Sequence, residues 1–242
     1  MGPDNKFKLN AQHMNTAQTH AAGIDVGLRQ YMLRVYNFMS LGLALTGGVA
    51  FAASTSPELM QTIHGTGLRW IVMLAPLGFV MFLSARLHAV KPATAQLLFW
   101  VYAGLMGLSL SYIFLAYTGA SITRVFFITA GTFAAMSLYG YTTKRDLTGI
   151  GSFLFMGLIG IIIASVVNIF LQSSAMHFVI SVVGVLVFVG LTAYDTQAIK
   201  SMYSETDSGV TQEKKAIMGA LRLYLDFINL FIMMLSLFGN RN

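Results

Sequence analysis

Two carboxylates in this sequence sit where carboxylates are expensive. Asp195 lies in Gly190-Leu-Thr-Ala-Tyr-Asp-Thr-Gln-Ala-Ile-Lys200, and Asp226 lies in Leu221-Arg-Leu-Tyr-Leu-Asp-Phe-Ile-Asn-Leu-Phe231. Both stretches belong to long apolar runs. The other acids (Asp4, Asp25, Glu58, Asp146, Glu205, Asp207 and Glu213) fall in polar segments. An ionisable group inside a membrane span costs at least about 2.5–3.5 kcal/mol on insertion scales, so it is a functional hypothesis by default. Two carboxylates a few ångströms apart in a poor solvent resist ionising together and titrate as a unit. Such a pair can share one proton, sense pH and attract a cation. Calcium prefers carboxylate and carbonyl oxygens, which makes Asp195 and Asp226 candidate calcium ligands.

Depth and helical phase bring the two acids together. Asp195 precedes Lys200 by about 7 Å along a helix axis, and Asp226 follows Arg222 by about 6 Å, at 1.5 Å per residue. If both basic residues mark the same interface, antiparallel neighbours hold the carboxylates at nearly equal depth. Arg222, Asp226, Asn229, Met233 and Ser236 form one stripe, and Ser181, Gly184, Phe188, Thr192 and Asp195 form another. A polar stripe on an apolar helix faces protein or a water cavity, not lipid. Arg86 ends an earlier span at the same depth and is a candidate latch onto a carboxylate. Each feature also has a plainer reading. Arg222 and Asp226 form an i,i+4 pair that can neutralise itself. Asp195 can cap a neighbouring helix or meet Lys200, and Arg86 can simply snorkel to the interface.

The elements that position these residues are membrane helices. Of 242 residues, 56% are apolar and only 10% are Asp, Glu, Lys or Arg, and the mean hydropathy is +0.69. This excludes a soluble enzyme, a nucleic-acid binder and a disordered chain. The absence of cysteine excludes disulfides and thiol chemistry. Apolar runs at 32–54, 70–87, 93–117, 125–141, 150–171, 178–199 and 223–239 are each near the length a bilayer requires. The expected fold is an all-α integral membrane protein, a seven-helix bundle at 31–242 behind a polar tail at 1–30. The links are short, including one at 88–92 that begins with His88. The exception is a longer polar link, 200–215. Ala50-Phe51-Ala52 has an A-x-A pattern, but the apolar stretch is too long and too late for a signal peptide.

Basic residues orient the bundle. With a cytoplasmic tail, Lys6, Lys8, Arg29, Arg34, Arg86, Lys91, Lys144, Arg145, Lys200, Lys214, Lys215 and Arg222 share one side. Arg69, Arg124 and Arg241 fall on the other. The expectation is a multi-pass protein of a bacterial inner (plasma) membrane with a cytoplasmic N-terminus and an external C-terminus.

The segments Tyr194-Asp195-Thr-Gln-Ala-Ile199 and Leu223-Tyr-Leu-Asp226-Phe-Ile-Asn-Leu-Phe231 resemble the two signatures of the transmembrane Bax inhibitor motif family. The likeness covers roughly 25–240. It implies a seven-helix fold with the last helix central and a di-aspartyl pH sensor at Asp195 and Asp226. It also implies an arginine latch at Arg86 and a pH-dependent calcium leak. Tyr194, Arg222 and Asn229 are the supporting residues. The chain departs from relatives that carry a glutamate inside the second helix, since 70–85 contains no acid. The 200–215 link also looks long for the family.

The leading expectation is therefore a pH-sensitive calcium or cation leak gated by the aspartate pair, with membrane lipid and the transported cation as partners and no resident cofactor. The alternative is a regulator or inhibitor of a membrane-bound ATP-dependent protease, with the polar tail as its handle. Enzyme chemistry is not expected. The Gly-x-Gly-Asp context of intramembrane aspartyl proteases is missing, and His13, His20, His64, His88 and His177 lack metal-ligand spacing.

Overall fold

The computed structural model describes residues 3–86 and 90–242, with side chains from 26 onward except that of residue 84. The tail's side chains through residue 25, and His88 in its link, lie outside the described residues. Nine helices follow in order: α1 (Pro3–Ser54), α2 (Pro57–His64), α3 (Leu68–Arg86), α4 (Pro92–Leu110), α5 (Ile113–Ala116), α6 (Gly119–Thr142), α7 (Thr148–Leu171), α8 (Ser174–Ser201) and α9 (Gly209–Phe238). Six stretches are long and apolar enough to cross a membrane: Val26–Ser54, Pro92–Ala116 and helices α6 to α9. The α2–α3 pair, bent by 79°, supplies the seventh if it counts as one span.

Local chemistry sets the boundaries. Ser56, Thr118, Ser173 and Ser208 each cap the helix that follows, accepting a hydrogen bond from a backbone N–H three residues on. Pro57 and Pro92 occupy first-turn positions, where a missing N–H costs nothing. α7 ends at Gln172, which adopts a left-handed φ of 51°.

Three boundaries differ from the hydropathy reading. The link after the first span contains α2, started by the Ser56 cap. The 93–117 run is broken at Ser111 and Tyr112, because the Ser111 hydroxyl donates to Leu108 O at 2.6 Å and also bonds His64 Nε2 at 2.9 Å. The polar link after α8 shrinks to 202–208, because Ser208 starts α9 about four turns before the apolar run at 223–239. Lys215 then joins Met202 O at 2.8 Å and the Asp207 carboxylate, which ties the first turns of α9 back to this loop.

α9 is the centre of the bundle. It packs on α8, α1, α6 and α4. Just over half of its apolar window is buried (56%), against 11% for α7, which faces outward for most of its length. Tyr224 shows why the centre holds. It is fully buried, its hydroxyl meets Thr46 Oγ1 at 2.6 Å, and Thr46 donates on to Ala103 O at 2.9 Å. One tyrosine thus joins α9, α1 and α4, with the rings of Tyr102 and Phe99 edge-on at 5.7 and 5.9 Å. Glycine permits the closest approach: Gly140 of α6 lies on the Ala193 backbone of α8, where a Cβ would have no room.

Candidate functional site

The two sequence stripes face each other along the antiparallel seam of α8 and α9. At one end the Ser181 and Ser236 hydroxyls meet at 2.9 Å. Next along the seam Met233 lies on Gly184, which a Cβ would bring within 2.9 Å of the Met233 sulfur. At the other end the Asp195 and Asp226 carboxyl groups come within hydrogen-bonding reach of each other. Both are buried, with 6% and 5% of their surface exposed. This end of the bundle is called the dyad end below.

The dyad stands apart in its unsatisfied oxygens. Among the described residues, the buried side-chain atoms without a hydrogen-bond partner are Asp195 Oδ1, Asp226 Oδ2 and the Tyr31 hydroxyl. Buried polar groups are ordinarily satisfied, and each exception calls for an account. An ionised carboxylate only accepts hydrogen bonds, so two carboxyls can bond each other only through a proton that one of them carries. One shared proton leaves a single negative charge on the pair. The cation that meets it is Arg222, whose guanidinium Nη1 stands 3.6 Å from Asp195 Oδ1. That is an ion-pair distance but too long for a hydrogen bond.

The dyad end is covered by α1 and by the α8–α9 loop. The Tyr31 and Tyr203 rings are 5.7 Å apart, and the charges of Asp207 and Arg222 both bear on the Tyr31 hydroxyl. Tyr203 lies directly against Gly27, where any side chain would meet its hydroxyl. Further anchors fix the end of α8. Gln197 accepts from Leu147 N at 2.9 Å and donates to Arg145 O at 2.8 Å, while Lys200 donates to Tyr141 O at 2.8 Å. Lys200 is therefore engaged with α6 and does not meet Asp195.

The remaining candidates are dispersed. Arg86 ends α3, a helix packed on α4 and α2, and its exposed guanidinium makes no hydrogen bond or ion pair with a described residue. Tyr194 points toward α7, edge-on to Phe155 at 5.9 Å and against Gly151. Asn229 donates to Leu225 O of its own helix at 2.8 Å. Among the described residues no three His, Asp or Glu side chains gather as a metal cage. Tyr31 and Tyr203 escaped the sequence reading, because a tyrosine near the end of a span ordinarily reads as an interfacial anchor.

Comparison with known proteins gives the family. The family described as "Inhibitor of apoptosis-promoting Bax1" matches residues 28–242. The chain belongs to the Bax inhibitor family. An uncharacterized protein of Rickettsia prowazekii is 52% identical over 217 residues, covering 90% of this chain and 92% of the relative. The inner membrane protein YbhL of Escherichia coli K12 is 50% identical over 218 residues, covering 89% and 93%. An uncharacterized membrane protein of Streptococcus pyogenes is 36% identical over 227 residues, covering 90% and 96%. The matched region takes in α1 from residue 28, helices α2 to α9 and the whole aspartate seam. The chain is an integral membrane protein of this family.

Proposed function

We propose that this Bax inhibitor family member is a pH-sensitive cation leak of the bacterial inner membrane, with calcium as the transported ion and no catalytic role. The observation that carries the reading is the Asp195–Asp226 pair: two buried carboxyls in reach of each other, without other donors, on the two most buried spans. A buried group left unsatisfied is costly, so the pair is a poor structural device and a good switch.

With one shared proton the carboxyls clasp α8 to α9, and the remaining negative charge is matched by Arg222. Adding a second proton removes that charge and leaves Arg222 without its partner. Losing the shared proton sets two like charges against each other at short range and draws in a cation. Either change unfastens the dyad end of the seam, a local electrostatic event acting on a two-state element. A calcium ion entering there finds two carboxylates and completes its shell with carbonyl oxygens and water. The Arg86 latch of the family resemblance belongs to the same proposal, as a second cation that competes with Arg222 for the pair.

The test is calcium flux into proteoliposomes across acid to mildly alkaline pH. Flux from the wild-type chain changes with pH, while an Asp195→Asn, Asp226→Asn double variant conducts without that dependence. A double variant that keeps the wild-type profile overturns the dyad mechanism. Absence of flux from the wild type at every pH overturns the leak.

A further inference from the structure

The bundle holds an apolar groove that the aspartate seam does not use. It lies between α1 and α6, encloses about 920 Å³, and reaches Phe227 of α9. α1 and α6 scarcely touch. Small residues leave the space: Ala44, Gly47 and Gly48 on one wall, Ala130 and Ala134 on the other. A Cβ added to Gly47 or Gly48 meets nothing within 4 Å. The buried polar atoms of the lining are already engaged, since Tyr36 and Ser137 bond each other at 2.6 Å and Ser137 bonds Thr196 at 2.9 Å. An occupant therefore needs apolar surface rather than hydrogen bonds.

Charge marks one mouth. Arg29 lines the groove at the dyad end, is exposed, and meets no acidic side chain among the described residues. From Arg29 to Gly48, α1 rises about 28 Å at 1.5 Å per residue, close to the thickness of a bilayer core. We propose that this groove seats a membrane phospholipid, with one acyl chain between α1 and α6 and its anionic phosphate at Arg29.

Small-residue walls also suit a partner helix. The Tyr36–Ser137 hydrogen bond argues against one. It spans from α1 to α6, so at that level the gap is no wider than a tyrosine side chain. A helix about 10–12 Å across cannot enter there, whereas an acyl chain can pass along the bridge. The floor of the groove matters too. Phe227 directly follows Asp226 and packs edge-on to Phe133 and Phe126 at 5.5 and 5.6 Å, so the lipid touches the helix that carries the dyad.

The experiment is native mass spectrometry of the full chain in mild detergent with added phosphatidylglycerol or phosphatidylcholine. The wild type retains one lipid and prefers phosphatidylglycerol. Arg29→Gln lowers that preference about fivefold, which is what one basic side chain near an anionic surface contributes. Gly47→Leu and Gly48→Leu fill the groove and lose the lipid. Gly160→Leu, at an equally open site on α7, keeps it. If either groove variant fails to fold, Ala134→Leu fills the opposite wall. Because the chain has no cysteine, Ala44→Cys supplies a unique thiol for oxidative crosslinking in membranes. Equal lipid retention in the wild type and the filled variants overturns the proposal. So does a disulfide dimer through Ala44→Cys, which assigns the groove to a second copy.

Discussion

The two ends of the α8–α9 seam are built from similar polar stripes and treat their polar atoms in opposite ways. At the far end everything is satisfied. Ser181 donates to His177 O at 2.9 Å and meets Ser236 at 2.9 Å, and Ser236 meets His177 Nε2 at 2.8 Å. At the dyad end two carboxyl oxygens and the Tyr31 hydroxyl have no partner. The far-end network is satisfied and open to solvent at His177, so it carries no such cost, whereas an unsatisfied buried pair stores a penalty that a proton or an ion can relieve. On the proposed reading, the difference separates a structural clasp from a switch on the same pair of helices.

The largest effect should come from neutralising the dyad. Asp195→Asn with Asp226→Asn removes the shared proton and the buried charge while keeping the shape. It also removes the cost of a buried charge, and each amide can donate to the facing side-chain oxygen. The double variant should therefore lose its pH-dependent flux and melt no lower than the wild type in detergent. A variant that melts much lower would show that the dyad is a structural clasp like the far end.

Second in size is the cation. Arg222→Gln removes the positive charge 3.6 Å from Asp195 Oδ1. Because a nearby cation favours the charged form of a carboxyl, the flux profile should move to higher pH. Arg86→Gln should shift the profile less than Arg222→Gln, because Arg222 and not Arg86 pairs with Asp195 in this structure. A larger shift from Arg86→Gln than from Arg222→Gln would show that α3 carries the latch instead.

The far end should respond in stability alone. Ser236→Ala breaks the bonds to both Ser181 and His177, at a typical net cost of about 1 kcal/mol per bond, read as a lower midpoint of thermal unfolding. Its flux should follow pH as in the wild type. A flattened profile would mean that the whole seam, and not one end, is the sensor.

How much of this was legible follows from which forces act locally. The spans were, because a hydrocarbon solvent imposes one long apolar run on each. The facing of Asp195 and Asp226 was also legible, because helical phase and interface depth together fix both coordinates of a side chain on a helix. Helix α2 and the early start of α9 were misread as links. Their Ser56 and Ser208 caps are single hydroxyls within polar stretches, weaker signals than hydropathy. The partner of Arg222 stayed open, because the same guanidinium can reach four residues along its own helix or across to α8, and packing decides between them. Tyr31 was invisible because its neighbours arrive from α9 and from the α8–α9 loop, nearly two hundred residues further along the chain.

The smallest effect belongs to a carboxylate that does have donors. Asp146, fully exposed before α7, accepts from Thr148 N at 2.9 Å, and hydrogen bonds from the Thr148 side chain and backbone hold its carboxyl below the usual range. A group whose folded pKa is depressed stabilises the fold above its unfolded pKa and loses that contribution as pH falls through the folded one. Asp146→Ala should therefore lower the unfolding midpoint slightly at neutral pH and match the wild type in strong acid. Asp146→Asn should cost less, because the amide oxygen still accepts. Neither variant should change the pH profile of flux. If Asp146→Asn shifted that profile as the dyad variants are expected to, an exposed and satisfied carboxylate would be sensing pH, and the lack of donors at Asp195 and Asp226 would no longer be a reason to assign gating to them.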